Sequence, residues 1–118
     1  TTDLTAETFM TTVEGTGIVL VDWWAAWCGP CRMFAPVFEQ ASEDHPDIVF
    51  GKVDTESEQA LAAQAQISSI PTLMAFRDGI LLYAQPGALP APALTDLIDQ
   101  VKKLDMDAVR AEVAKEQA

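Results

Sequence analysis

The two cysteines of the chain, Cys28 and Cys31, are two residues apart and lie between an apolar run and a helix-like stretch. The run at residues 18–24 is nearly continuous in apolar residues, which is typical of a strand covered on both faces. Pro30 suits the first turn of the following helix, because proline has no N–H to lose and its φ is already helical. Helix N-termini carry unpaired N–H groups and partial positive charge, which favour a cysteine thiolate. Since the thiolate is the nucleophile of disulfide exchange, the stretch is predicted to be a redox active site.

The composition and the net charge argue against several other classes of function. With 118 residues and 49% hydrophobic residues, the chain is expected to form one globular domain. The net charge of −11 argues against binding to nucleic acid or to an anionic membrane surface. The apolar runs are too short to span a membrane. Two close cysteines without an export signal indicate a reducing, cytoplasmic location, and nothing in the sequence demands more than a monomer.

The alternation of apolar patterns predicts an α/β fold, in which a mixed central β-sheet of four to five strands is flanked by helices on both faces. Asp78-Gly79 lies between two apolar runs and predicts an antiparallel hairpin. The helical stripes place Met10 and Met33 on buried faces. Residues 1–104 are expected to form the domain, and residues 105–118 a helical or frayed C-terminal extension.

Five motifs, in order and at consistent spacing, together resemble the bacterial thioredoxin family over about residues 4–104. The resemblance implies a thioredoxin fold and a general protein disulfide reductase. A bare Cys-x-x-Cys would be a weak signal, but the coordinated set is a strong one. The motifs are Val21-Asp22-Trp23-Trp24-Ala25-Ala26-Trp27-Cys28-Gly29-Pro30-Cys31, Ala35-Pro36, Lys52-Val53-Asp54, Ile70-Pro71-Thr72 and Gly87.

The resemblance also implies roles for the cysteines and the residues between them. Cys28 would attack the substrate disulfide, and Cys31 would resolve the mixed disulfide. Gly29 and Pro30 resemble the dipeptide of the reducing members of the family. No bound cofactor or metal is implied, because electrons would come from NADPH through a thioredoxin reductase, and disulfide-containing proteins would be the clients.

Asp22 is the polar residue inside the apolar strand. Desolvation raises the pKa of a buried carboxyl group and suits it to proton transfer near neutrality. On residue type alone, a hydrogen-bonded or solvated aspartate at the strand end would be favoured. The resemblance instead favours a catalytic Asp22 that helps to deprotonate Cys31 and is coupled to Lys52.

Further site residues rest on the resemblance. Pro71 matches a proline that follows a cis peptide bond and packs against the cysteines, and Trp24 is expected beneath the active site. The sequence departs from the family pattern at three positions near the cysteines, Ala26, Arg32 and Ser69. The client would dock on Trp27, Ile70, Gly87 and Ala88.

Three alternatives remain open at this point. The same chemistry would serve a dedicated redox regulator or an electron donor for a narrow set of partners. A binding module with incidental thiols would keep its partner when both cysteines are replaced by serine. A zinc site is disfavoured because zinc wants four ligands, and only His45 and distant carboxylates are available besides the cysteines.

Overall fold

The computed structural model describes residues 1–117, which form five strands and five helices. The elements, in chain order, are β1 (Thr2–Asp3), α1 (Phe9–Val13), β2 (Ile18–Trp24), α2 (Gly29–Asp44), β3 (Val49–Asp54), α3 (Gln59–Gln64), β4 (Thr72–Arg77), β5 (Ile80–Pro86), α4 (Ala91–Lys103) and α5 (Met106–Gln117).

The strands form one mixed sheet in the order β1-β3-β2-β4-β5. β2 lies at the centre, parallel to β3 and antiparallel to β4. β4 and β5 are antiparallel, as the Asp78-Gly79 signal predicts. Both turn residues have positive φ, 54° at Asp78 and 81° at Gly79, which is the backbone of a tight hairpin turn. The predicted mixed sheet is therefore confirmed, with five strands.

The two faces of the sheet bury separate apolar clusters because neighbouring residues of a strand point to opposite faces. On one face, Trp23 of β2 packs against Phe9 of α1, with ring centroids 5.4 Å apart. On the other face, Leu20 of β2 packs with α2 and α4 residues, including Phe38. Asp22 is two residues from Leu20, so it lies on the face that α2 covers.

The prediction that Met10 and Met33 are buried is wrong. Their side chains are 56% and 75% exposed. Each methionine lies next to the helical stripe that is actually buried, which is Phe9 and Val13 in α1 and Phe34 and Phe38 in α2.

α5 is attached to the β4–β5 hairpin by its own side chains. Met106 is buried, and the Arg110 guanidinium lies 3.6 Å from the Asp78 carboxylate. Arg77 Nη1 donates to the carbonyl groups of Val101, at 2.9 Å, and Leu104, at 3.2 Å, across the junction between α4 and α5. These contacts position α5 beside the start of β5. None of the helices within residues 1–117 is both long and apolar enough to span a membrane.

Candidate active site

The cysteine pair lies between the end of β2 and the start of α2. Cys28 is the N-cap residue of α2, and the first helical turn contains Gly29 and Pro30. Cys28 and Cys31 form a disulfide bond, with their Cα atoms 5.2 Å apart. The backbone N–H of Cys31 donates to the Sγ atom of Cys28 at 3.2 Å. In the dithiol form, this N–H group and the helix dipole would stabilise a thiolate at Cys28.

Asp22 lies beneath α2 and beside a small cavity. The side chain is fully buried, and within residues 1–117 neither carboxylate oxygen has a hydrogen-bond partner. A cavity of about 100 Å³ is lined by Asp22, Cys31 and Lys52, among others. Burial raises the pKa of Asp22 to about 6, while the positive charge of Lys52 acts to lower it. Asp22 is therefore titratable near neutrality, and it is neither at the end of its strand nor exposed to bulk solvent.

Lys52 approaches Asp22 because of the strand register. The two residues are direct neighbours in the parallel pairing of β2 with β3. The Nζ atom of Lys52 also lies 4.9 Å from the centroid of the Trp24 ring, within the range of a cation–π contact. Trp24 in turn packs against the cluster that contains both cysteines. Lys52 thus lies next to both the buried carboxyl group of Asp22 and the ring of Trp24.

The segment before β4 lies against the disulfide. The Ile70–Pro71 peptide bond is cis. The carbonyl oxygen of Ile70 lies 3.7 Å from Cys28 Sγ, and the Ile70 side chain packs on the cysteine cluster. The N–H of Gly87 donates to the Pro71 carbonyl at 2.8 Å, so the loop after β5 is held beside this segment. Gly87 has a φ of 112°, a conformation that favours glycine.

Trp27 is the large apolar side chain exposed next to the disulfide, at 66% of its surface. Its indole Nε1–H donates to Glu56 Oε1 at 2.6 Å. A shallow pocket of about 180 Å³ runs between Trp27 and Ile70. Gly87 and Ala88 are also exposed, in the loop that follows β5. The structure therefore places Ile70 against Cys28 and Trp27 beside Ile70, and it holds Gly87 next to Pro71, with Ala88 following in the same exposed loop.

Two features of the site were not predicted from the sequence. Glu56 orients Trp27 although it is 29 residues away in the chain. Arg32 Nη1 donates to the carbonyl oxygen of Ala26 at 2.9 Å and lines the Asp22 cavity. An acidic residue shortly after a strand gives no signal that it will accept a hydrogen bond from an indole. Only the three-dimensional structure therefore shows the contact between Glu56 and Trp27.

The comparisons with known proteins agree with this geometry. A family model described as Thioredoxin matches residues 1–116. The chain belongs to the thioredoxin family. The "Putative thioredoxin 2" of Streptomyces coelicolor is 58% identical over 118 residues, which is all of this chain and 88% of that protein. The thioredoxin of Bacillus subtilis is 39% identical over 85 residues, covering 71% of this chain and 82% of its own.

A solved structure shows the same fold. The thioredoxin of Plasmodium falciparum superposes with a TM-score of 0.77 at 31% identity, over 85% of this chain and 98% of that one. The thioredoxin family consists of protein disulfide oxidoreductases, and this chain carries the redox-active cysteine pair. A dedicated regulatory role is not favoured over general disulfide reduction. Within residues 1–117, no group of three or more histidine, cysteine or acidic side chains could hold a metal ion.

Proposed function

We propose that the chain reduces the disulfides of a broad range of client proteins through the dithiol of Cys28 and Cys31. The observation that carries the proposal is the N–H group of Cys31 directed at Cys28 Sγ at the start of α2. In the first step, the Cys28 thiolate attacks one sulfur of the client disulfide. A mixed disulfide forms, and the second client sulfur leaves as a thiolate that takes up a proton from solvent.

In the second step, Cys31 resolves the mixed disulfide. Its thiol gives up a proton and its sulfur attacks Cys28 Sγ, which forms the Cys28–Cys31 disulfide and expels the remaining client sulfur as a thiolate that takes up a proton from solvent. The client gains two electrons and two protons overall. We assign the proton acceptor to Asp22, because its unpaired carboxylate and Cys31 line the same cavity, which has room for a bridging water molecule.

Lys52 and Trp24 support this proton transfer. The positive charge of Lys52 keeps the pKa of Asp22 from rising further, so the carboxylate form remains available at neutral pH. The Trp24 ring packs against both the lysine and the cysteine cluster and would fix their relative positions. Lys52 is thus a positioning residue that acts through Asp22.

The client would dock on the surface formed by Trp27, Ile70, Gly87 and Ala88. Because both cysteines are buried, the client disulfide has to be brought into close contact with Cys28. An extended client segment would pair with the backbone of Ile70, whose carbonyl group lies beside Cys28 Sγ. The exposed indole of Trp27 would pack against the side chains of the client segment.

The oxidised pair would be recycled by a thioredoxin reductase that draws electrons from NADPH. A reductant of other proteins works only where its own disulfide is kept reduced, which suits the cytoplasm. All the side chains of the proposed site come from one chain, so we expect it to act as a monomer.

A panel of unrelated disulfide proteins tests the breadth of this activity. With thioredoxin reductase and NADPH, we expect turnover of insulin and of two unrelated disulfide proteins at rates within roughly tenfold of one another, a spread of about 1.4 kcal/mol in barrier. NADPH oxidation measures the rate, and the reaction without the chain gives the background. Turnover of none of the three, although the thiols are free, would contradict general reductase activity.

Replacement of Asp22 by asparagine tests the proton acceptor. We expect the second step to slow by on the order of 10², because general base catalysis is lost while the shape is kept. Rapid quenching with a thiol-blocking reagent would show the mixed disulfide persisting longer than in the parent chain, while the rate of its formation stays the same. Equal slowing of both steps would argue against a specific role in resolution.

A further inference from the structure

A groove of about 480 Å³ lies between β5 and α5. Three consecutive residues of β5 line it, Ile80, Leu81 and Leu82. Since neighbouring strand residues point to opposite faces, a groove that contacts all three follows the outer edge of the strand. β5 is the last strand of the sheet, and no strand within residues 1–117 pairs with that edge. Its outward backbone N–H and C=O groups at residues 80–82 therefore have no strand partner within residues 1–117 and border the groove.

The groove lies at the end of the sheet opposite to the cysteines. Ile80 pairs with Arg77, which in turn pairs with Ile18 at the start of β2. The cysteines follow the other end of β2, beyond Trp24. The groove and the redox site are thus far enough apart in the sheet for two segments to bind at the same time.

The walls of the groove are apolar and are held in place. Leu81 and Leu104 are 47% and 40% exposed, although both are large apolar side chains. From α5, Val109 and Val113 line the groove one helical turn apart. Buried Met106 and the contact of Arg110 with Asp78 keep this helix beside the hairpin. The groove is therefore preformed in the chain.

The charged side chains that line the groove are all acidic. They are Asp105, Glu112 and Glu116, and no lysine or arginine of residues 1–117 lines it. Lys115 approaches Glu112 at 3.6 Å, but both side chains are highly exposed, and such pairs are weak. The cation Arg110 is engaged by Asp78 and Asp107. The groove consequently presents carboxylates beside an apolar floor.

We propose that this groove binds an extended segment of a partner protein in which apolar residues alternate with lysine or arginine. The segment would add to β5 as a sixth strand, with backbone hydrogen bonds to residues 80–82. Its apolar side chains would contact Leu81, Leu104 and Val113, and its basic side chains would reach the carboxylates. A partner whose disulfide is joined to this segment by enough chain to span the sheet would present that disulfide to Cys28 at a raised effective concentration.

The test uses the full oxidised chain, so it needs no redox chemistry and stands apart from the reductase assay. The probe is a dye-labelled peptide of eight residues that alternates lysine with leucine or valine, followed by fluorescence anisotropy. We expect saturable binding that weakens as salt rises. Two control peptides replace the apolar residues by serine, or the lysines by glutamate, and both should bind at least about tenfold more weakly, a difference of 1.4 kcal/mol.

Substitutions in the groove test whether the probe peptide binds there. Leu81→Lys and Val113→Lys should each weaken binding of the probe about tenfold, a loss of 1.4 kcal/mol. Ala111→Lys is the matched control, because it adds the same charge to an exposed position of α5 outside the groove, and it should bind like the parent chain. All three variants should retain the circular dichroism spectrum and insulin reduction of the parent.

Other results would overturn the proposal. Equal binding of the serine peptide would mean attraction by net charge alone. Loss of binding in Trp27→Ala, with Leu81→Lys unaffected, would place the peptide at the redox site. Concentration-dependent dimerisation of the parent chain, abolished by Leu81→Lys, would make a second copy the occupant of the groove.

Discussion

Replacement of Cys28 by serine is expected to reduce the turnover of insulin to the rate without protein, whereas replacement of Cys31 by serine is expected to trap the client. Serine at position 28 removes the nucleophile, since a hydroxyl group does not form a disulfide. Serine at position 31 leaves the nucleophile and removes the group that resolves the mixed disulfide. Turnover with NADPH and thioredoxin reductase measures the first effect, and non-reducing electrophoresis with mass spectrometry measures the second.

The two variants control for each other. Both change one sulfur to oxygen in the same helical turn, so a general loss of folding would affect them alike, and circular dichroism would show it. A covalent adduct formed by Cys31→Ser and absent from Cys28→Ser assigns attack to Cys28. The opposite pattern would reverse the two roles. If Cys28→Ser retained the turnover of the parent chain, the thiol mechanism itself would be wrong.

The sequence predicts those parts of the structure that depend on local chemistry. Cys28 at a helix start follows from an apolar strand, a Cys-x-x-Cys pair and Pro30, all within fourteen residues of one another. The β4–β5 hairpin follows from Asp78-Gly79, because a tight turn with positive φ favours these residue types. The raised pKa of Asp22 follows from its place in a strand that is covered on both faces.

The features that the sequence does not predict depend on contacts between distant residues. The exposure of Met33 depends on the exact angle at which α2 faces the sheet, and Phe34 occupies the buried position instead. Glu56 reaches the Trp27 indole only because β3 ends beside the active site. The groove beside β5 exists because α5 lies along the hairpin, through buried Met106 and the contact of Arg110 with Asp78, and no local pattern signals these contacts.

Replacement of Asp22 by asparagine is expected to stabilise the oxidised chain in a strongly pH-dependent way. Burial raises the pKa of Asp22 from 3.8 to about 6, so the folded chain keeps a proton that the unfolded chain has lost between these values. Unfolding there releases a proton, and the free energy of unfolding of the parent therefore falls as pH rises. Asparagine does not ionise, so the variant lacks this fall.

The size of the effect follows from the shift in pKa. Each unit corresponds to about 1.4 kcal/mol, so the variant should gain up to about 3 kcal/mol over the parent between pH 4 and pH 7, and no more above that. Urea unfolding of the oxidised chains at one-unit intervals from pH 4 to pH 8 measures the difference. Asp99→Asn, which removes a carboxylate from the exposed face of α4, is the matched control and should follow the parent.

The same variant separates stability from activity. If Asp22 is the proton acceptor for Cys31, Asp22→Asn should be more stable than the parent at pH 7 and slower in releasing the client, because the buried charge that destabilises the fold is the charge that takes the proton. A difference in unfolding free energy that stays constant from pH 4 to pH 8 would mean that folding does not raise the pKa of Asp22. Its ionisation would then be the same in the folded and unfolded chains, and proton transfer to it near neutrality would lose its physical basis.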